Sequence, residues 1–223
     1  MGHFYMFLCH NVFMKCGRLV AFLVCNLFII LLELVGLYLV FESIGIVALI
    51  YYTQLSNIFL LAAAVINAYS AIKALNNRKK CEISPVVWRI LHAATSVTTV
   101  TFLVVVFVLS WMYGSLWYVL TAGSMLYTHT LCPLIALGTF IAFTPKCFIY
   151  ADALKATYFT LIYGLIAIVL NVMHVLEGPY PFLYVYRQPL WATIAWVIGI
   201  FGGAYAIARL LLISKIKNKY PSV

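Results

Sequence analysis

Apolar residues fall into six long blocks, separated by short segments where Lys, Arg, Asn, Gly and Pro collect. A helix needs about 20 apolar residues to cross the ~30 Å hydrocarbon core of a bilayer. The blocks predict helices over residues 18–41, 46–72, 86–113, 115–143, 155–176 and 190–212. The third and fourth are longer than a membrane requires, which implies tilt or protruding ends. Residues 1–17 hold a shorter apolar stretch, too short to span, and read as an interfacial helix. No charged n-region precedes it, so no cleavable signal is expected.

Polar residues interrupt these blocks in a helical pattern. In the second block, Thr53, Ser56, Asn57 and Asn67 gather on one face, with Gln54 at its edge. Asn26 and Glu33 share a face in the first block. Arg89, His92, Ser96 and Thr99 do so in the third, and Thr160, Gly164, Asn171 and His174 in the fifth. Polar side chains inside a bilayer cost free energy and turn toward the bundle interior. In the fourth block, His129 lies among Ala122, Met125, Pro133 and Ala136. Pro133 has no N–H to give the His129 carbonyl, which predicts a kink at the histidine. The sixth block carries Ala195, Gly199 and Gly203 at four-residue steps. That small-residue face suits helix packing within the bundle or a homodimer seam.

Composition agrees with the pattern. Of 223 residues, 66% are hydrophobic and 9% charged, so the expected class is an all-α integral membrane protein, a single six-helix transmembrane domain. The net charge of +9 does not make a nucleic-acid surface, because the basic residues sit at helix ends. One set of connecting segments holds Lys15, Arg18, Lys73, Arg78, Lys79, Lys80, Arg89, Lys146, Lys155, Arg209, Lys215, Lys217 and Lys219; the opposite set holds Arg187 alone. Basic loops stay inside. Both termini are therefore expected in the cytoplasm, and a bacterial inner membrane is the expected location. The six cysteines show no metal or disulfide spacing and read as reduced thiols.

Three histidines, His92, His129 and His174, fall at different depths, which argues against a haem pair or a zinc site. No cofactor is expected. Thr53 could act as a nucleophile with His129 as its base. Asn57, Ser56 or Gln54 could then orient the pair or donate to an oxyanion. Glu33, Asn171 and His174 are further inward-facing candidates for support. Counted along continuous helices, Thr53 lies about 10 Å and His129 about 21 Å from the outer ends of their spans. That mismatch leaves the pair permitted but not required.

The motifs "YYTQLSN" in the second span, "HTLCP" in the fourth and "GPYPF" after the fifth occur in an order that resembles the androgen-induced, FAR-type six-helix membrane superfamily, closest to its bacterial branch. Animal members are threonine hydrolases that cleave fatty acid esters of hydroxy fatty acids. The resemblance implies Thr53 as nucleophile, His129 as base and a lipid-like ester as substrate, with membrane lipids as surroundings. Ser56 and Asn57 fall on the bacterial signature. The loop departs from the pattern in "PFLYVYRQP", which lacks an acidic residue near Tyr184. A small-molecule transporter or channel, or a non-catalytic lipid-binding protein, would use the same inward stripes.

Overall fold

The computed structural model describes residues 12–77 and 82–216. Six helices are long and apolar enough to cross a membrane, and the fold is an all-α bundle of a multi-pass membrane protein. We label the helices α1 (Cys16–Ile44), α2 (Tyr52–Asn76), α3 (Pro85–Met112), α4 (Leu116–Thr121), α5 (Leu126–Phe143), α6 (Tyr150–Val172) and α7 (Leu190–Leu212). Helix α3 is central and packs against α2, α5, α6 and α7, while α1 lies against α2 and α5. Val12–Phe13 (β1) pairs antiparallel with Glu82–Ile83 (β2). The expected interfacial helix thus has its residues 1–11 outside the described residues, and its last part is a strand followed by the start of α1.

Local chemistry sets the helix ends. Pro85 opens α3 behind Ser84, whose hydroxyl accepts from the Val86 N–H. Gly45, at φ +58°, ends α1 and leads into a 3₁₀ segment over Gly45–Ile50. Tyr51 is extended, and α2 starts only at Tyr52. The second span therefore begins six residues later than the apolar pattern suggests, because a 3₁₀ turn is as apolar as a helix. The fifth span starts earlier than expected, at Tyr150. The pattern left Asp152 outside the span, but Asp152 is buried, accepts from the Ile149 N–H at 3.0 Å and pairs with Arg89 at 3.2 Å. The span ends at Val172, not at residue 176.

The fourth span differs most. It is not one helix over 115–143. Ala122 is extended and Gly123 takes φ +52°, so the chain breaks after α4 and restarts as α5. His129 Nδ1 lies 3.2 Å from the Val119 carbonyl, and the Thr130 hydroxyl donates to the Leu120 carbonyl at 2.8 Å. Residues ten apart in a continuous helix are separated by about 15 Å of rise. The short α4 must therefore fold back along the first turns of α5. Its last carbonyls have no helical donors, and the two side chains of α5 satisfy them. The first turns of α5, Leu126–Leu131, are π-helical, which is how the helix accommodates Pro133.

Lys15, Arg18, Lys146 and Lys215 gather at one end of the bundle, here called the basic end. Arg18 donates to the Ala142 carbonyl at 2.7 Å, and Lys215 to those of Ile141 and Thr144 at 2.8 and 2.9 Å. Both cations thereby cap the carbonyl end of α5. Burial, then the charges of Arg18 and Lys146, hold the Lys215 ammonium below the usual lysine range. Above them, Phe22, Trp88, Phe140 and Phe148 fill the core. The opposite, cap end is closed by residues 173–189. The Ala195–Gly199 face of α7 is exposed, and a Cβ at Gly199 or Gly203 would meet nothing within 4 Å. That small-residue face does not pack inside the bundle, contrary to one of its two expected uses.

Candidate active site at the cap end

The break in the fourth span brings Thr53 and His129 to the same end. Thr53 is the second residue of α2, and His129 the fourth of α5. The depth mismatch came from counting through α4 as though it continued α5. Both side chains are buried and line one cleft of about 930 Å³, mouth included, with Gln54, Ser124, Thr128 and Tyr180. No hydrogen bond joins Thr53 directly to His129 among the described residues.

His129 is oriented. A carbonyl only accepts, so the ring nitrogen facing Val119 must carry the proton. That fixes the tautomer, with Nδ1 protonated and Nε2 bearing a lone pair. Gly36 of α1 makes room for this turn. A Cβ there would sit 2.8 Å from Tyr127 Cβ and 3.0 Å from Thr128 Cγ2. Only glycine lets α1 approach the segment that carries His129 so closely.

Thr53 is held through its backbone. Its carbonyl accepts from the Ser56 hydroxyl and the Asn57 amide, each at 2.7 Å. Ser56 also meets the Thr101 hydroxyl at 2.8 Å, which ties the turn to α3. Ser56 and Asn57 therefore fix the first turn of α2 through the Thr53 carbonyl, away from any reacting hydroxyl. An N–H in a first helical turn has no helical acceptor. The N–H of Thr53 instead donates to the Tyr180 hydroxyl at 3.3 Å, and the phenol also contacts the Thr53 side chain. Tyr180 is buried, and burial pushes its hydroxyl up to about 12, so it stays protonated.

Thr53 and Tyr180 also line a second cleft, of about 710 Å³ with its mouth, between α2, α3, α6 and α7. Its other walls are aliphatic and aromatic, with a few hydroxyls. Thr53 thus stands where a polar cleft carrying His129 meets an apolar one.

The remaining candidates lie elsewhere. Glu33 is fully buried, lines neither cleft, and among the described residues has only the weak Cys132 thiol as a polar neighbour. Asn171 donates to the Leu176 carbonyl at 3.2 Å and accepts from the Val185 N–H at 3.1 Å, which pins the cap rather than the threonine. His174 lies beyond α6, exposed, at φ +57°, and stacks on Tyr186 at 4.2 Å. Both had been grouped with a helical face that ends two residues before His174. Gln54 does line the His129 cleft; its side-chain oxygen is buried without a partner among the described residues. His92 Nε2 donates to the Ala208 carbonyl at 3.0 Å, and the ring, packed against Phe140 and Phe148, is a core residue.

The pattern of the sequence missed Tyr180 as a site residue. The available signal was "GPYPF", where Pro179 and Pro181 restrict the backbone on both sides of the tyrosine. Among the described residues, no group of three or more His, Cys, Asp or Glu could hold a metal ion. The chain matches no protein-family model, no curated protein and no solved structure.

Proposed function

We propose that this protein is an intramembrane threonine hydrolase acting on lipid-like carboxylic esters, as its resemblance to the FAR-type superfamily implies. The observation that carries the reading is the shared cleft: Thr53 and His129 face one space, and His129 presents Nε2 as a base. In this reading His129 Nε2 takes the proton of the Thr53 hydroxyl, directly or through one water. The Thr53 oxygen attacks the ester carbonyl. The tetrahedral intermediate collapses, the alcohol leaves with the proton from His129, and an acyl-threonine remains. Water, deprotonated by the same nitrogen, then releases the acid. The protonated Tyr180 hydroxyl, beside Thr53, is the donor best placed for the oxyanion.

The basic end of the bundle faces the cytoplasm in this reading, because Lys15, Arg18, Lys146 and Lys215 gather there. A bacterial inner membrane remains its proposed location, and a homodimer across the exposed Gly199 face its proposed assembly.

Purified Thr53→Ala and His129→Ala proteins, assayed on fatty acid esters of hydroxy fatty acids, test the chemistry. Loss of a general base lowers turnover by about 10²–10⁴-fold. Hydrolysis that survives Thr53→Ala ends this reading. Substrate flux in proteoliposomes that survives His129→Ala would favour a transporter instead.

A further inference from the structure

The apolar cleft has an unusual wall. Its hydroxyl groups already have protein partners. Tyr52 and Thr160 bond each other at 2.7 Å. Tyr163 donates to the Ile50 carbonyl at 2.8 Å. Thr101 meets Ser56, and Thr193 meets the Gln188 amide at 3.0 Å. Tyr180 is engaged by Thr53. A ligand in this cleft finds hydrocarbon and ring faces, and Thr53 at the edge shared with the polar cleft.

We propose that this cleft is the acyl-chain subsite of the Thr53 site, and that Gly164 and Phe201 set how long a chain it accepts. The proposal rests on the reading of Thr53 as a nucleophile, and it specifies which side of the ester goes where. The hydrocarbon chain of the acyl group lies between α6 and α7, and the alcohol side lies in the cleft of His129. Thr193 and Phe201 both line the cleft along α7, and eight residues of helix rise separate them by about 12 Å. Helix α7 is also the least enclosed span, with 11% of its most apolar window buried, so the α6–α7 side is where a chain would enter from the membrane.

Gly164 and Phe201 face each other across that side. A Cβ at Gly164 would lie 2.7 Å from Phe201 Cζ. The ring must then swing away, and the cleft is the space into which a displaced ring can move. Gly164→Val therefore shortens the subsite. Phe201→Ala removes the ring and lengthens it.

The test uses detergent-solubilised full-length protein and two probes: straight-chain alkyl fluorophosphonates of increasing length, and a straight-chain fatty acid with a diazirine at its far end. In the wild type, labelling of Thr53 rises with chain length to a ceiling, and the diazirine cross-links to the α7 segment around Phe201. Phe201→Ala moves the ceiling to longer chains. Gly164→Val moves it to shorter ones and lowers the long-to-short labelling ratio about tenfold or more, the scale of lost methylene contacts. Thermal unfolding of each variant shows whether it is folded. An unchanged ceiling in both folded variants overturns the proposal, as does cross-linking confined to other helices. A co-purified phospholipid that the fatty acid fails to displace also overturns it, because the cleft would then hold bulk lipid. If no fluorophosphonate adduct forms on any variant, yet the cross-link stays at α7 and shifts with Phe201→Ala, the nucleophile reading fails while the acyl site stands.

Discussion

Gly36→Ala sets two effects of opposite sign against each other. Ala is favoured over Gly inside a helix by about 1 kcal/mol, and Gly36 lies in mid-helix with no unusual φ. Propensity alone predicts a more stable protein. The added Cβ, however, would sit 2.8 Å from Tyr127 Cβ and 3.0 Å from Thr128 Cγ2. Carbon atoms pack at about 3.5–4.0 Å. Tyr127 Cβ is fixed to its backbone and cannot rotate away, so α1 and the first turns of α5 must separate by several tenths of an ångström or more. Overpacking of this kind costs about 1–3 kcal/mol, so the net change is a loss of up to about 2 kcal/mol. The displaced segment carries His129, whose bond to Val119 is already 3.2 Å long. Further lengthening weakens the contact that fixes its tautomer. The expected result is a lower unfolding temperature in detergent together with slower fluorophosphonate labelling of Thr53. A Gly36→Ala protein that is more stable than wild type and labels at the wild-type rate would refute the reasoning.

Four other outcomes follow from the same geometry. Tyr180→Phe leaves the Thr53 N–H without its acceptor and should cost about 1–3 kcal/mol of stability, with ester hydrolysis falling more than fatty acid binding; equal losses in both would point to collapse of the cap. Glu33→Met removes a buried carboxyl that has only the weak Cys132 thiol as a polar neighbour among the described residues, so stability should be unchanged or higher in thermal melts, and Thr53 labelling should persist because Glu33 lines neither cleft. Asn67→Leu breaks the 3.0 Å bond from Asn67 to Asn26 between α2 and α1 and leaves the Asn26 oxygen buried and unpaired, which should destabilise the bundle by about 1–3 kcal/mol. Asp152→Asn should lower stability by removing the charge that faces Arg89, an effect read as a drop in unfolding temperature that high salt narrows.

Six spans were legible because hydrophobic length is a direct demand of the bilayer, and the inward stripes because buried polar groups cluster on one helical face. Asn26, Glu33, Ser56, Asn57, Asn67, His92 and Thr160 are all buried. The break after α4 was not legible in the same way. "LTAGSML" is as apolar as its surroundings, and Gly123 gives only a weak sign that the helix stops. Yet that break decides the site, since it lifts His129 to the level of Thr53. The roles of Ser56 and Asn57 were blurred for a related reason. A helical wheel places side chains on a face but cannot show that a short polar side chain will bond the carbonyl three or four residues back, as both do. Asn171 is buried within α6 as the pattern had it, but His174 was misgrouped because α6 ends at Val172, and beyond that point the helical period no longer applies.

The central claim is that Thr53 is a nucleophile activated by His129. Peptide mass spectrometry of the fluorophosphonate-treated protein tests it most directly. The account predicts a single adduct on Thr53 in the wild type, absent in Thr53→Ala and strongly reduced in a folded His129→Ala protein. An adduct on another residue, or Thr53 labelled as fast without His129 as with it, would contradict the account.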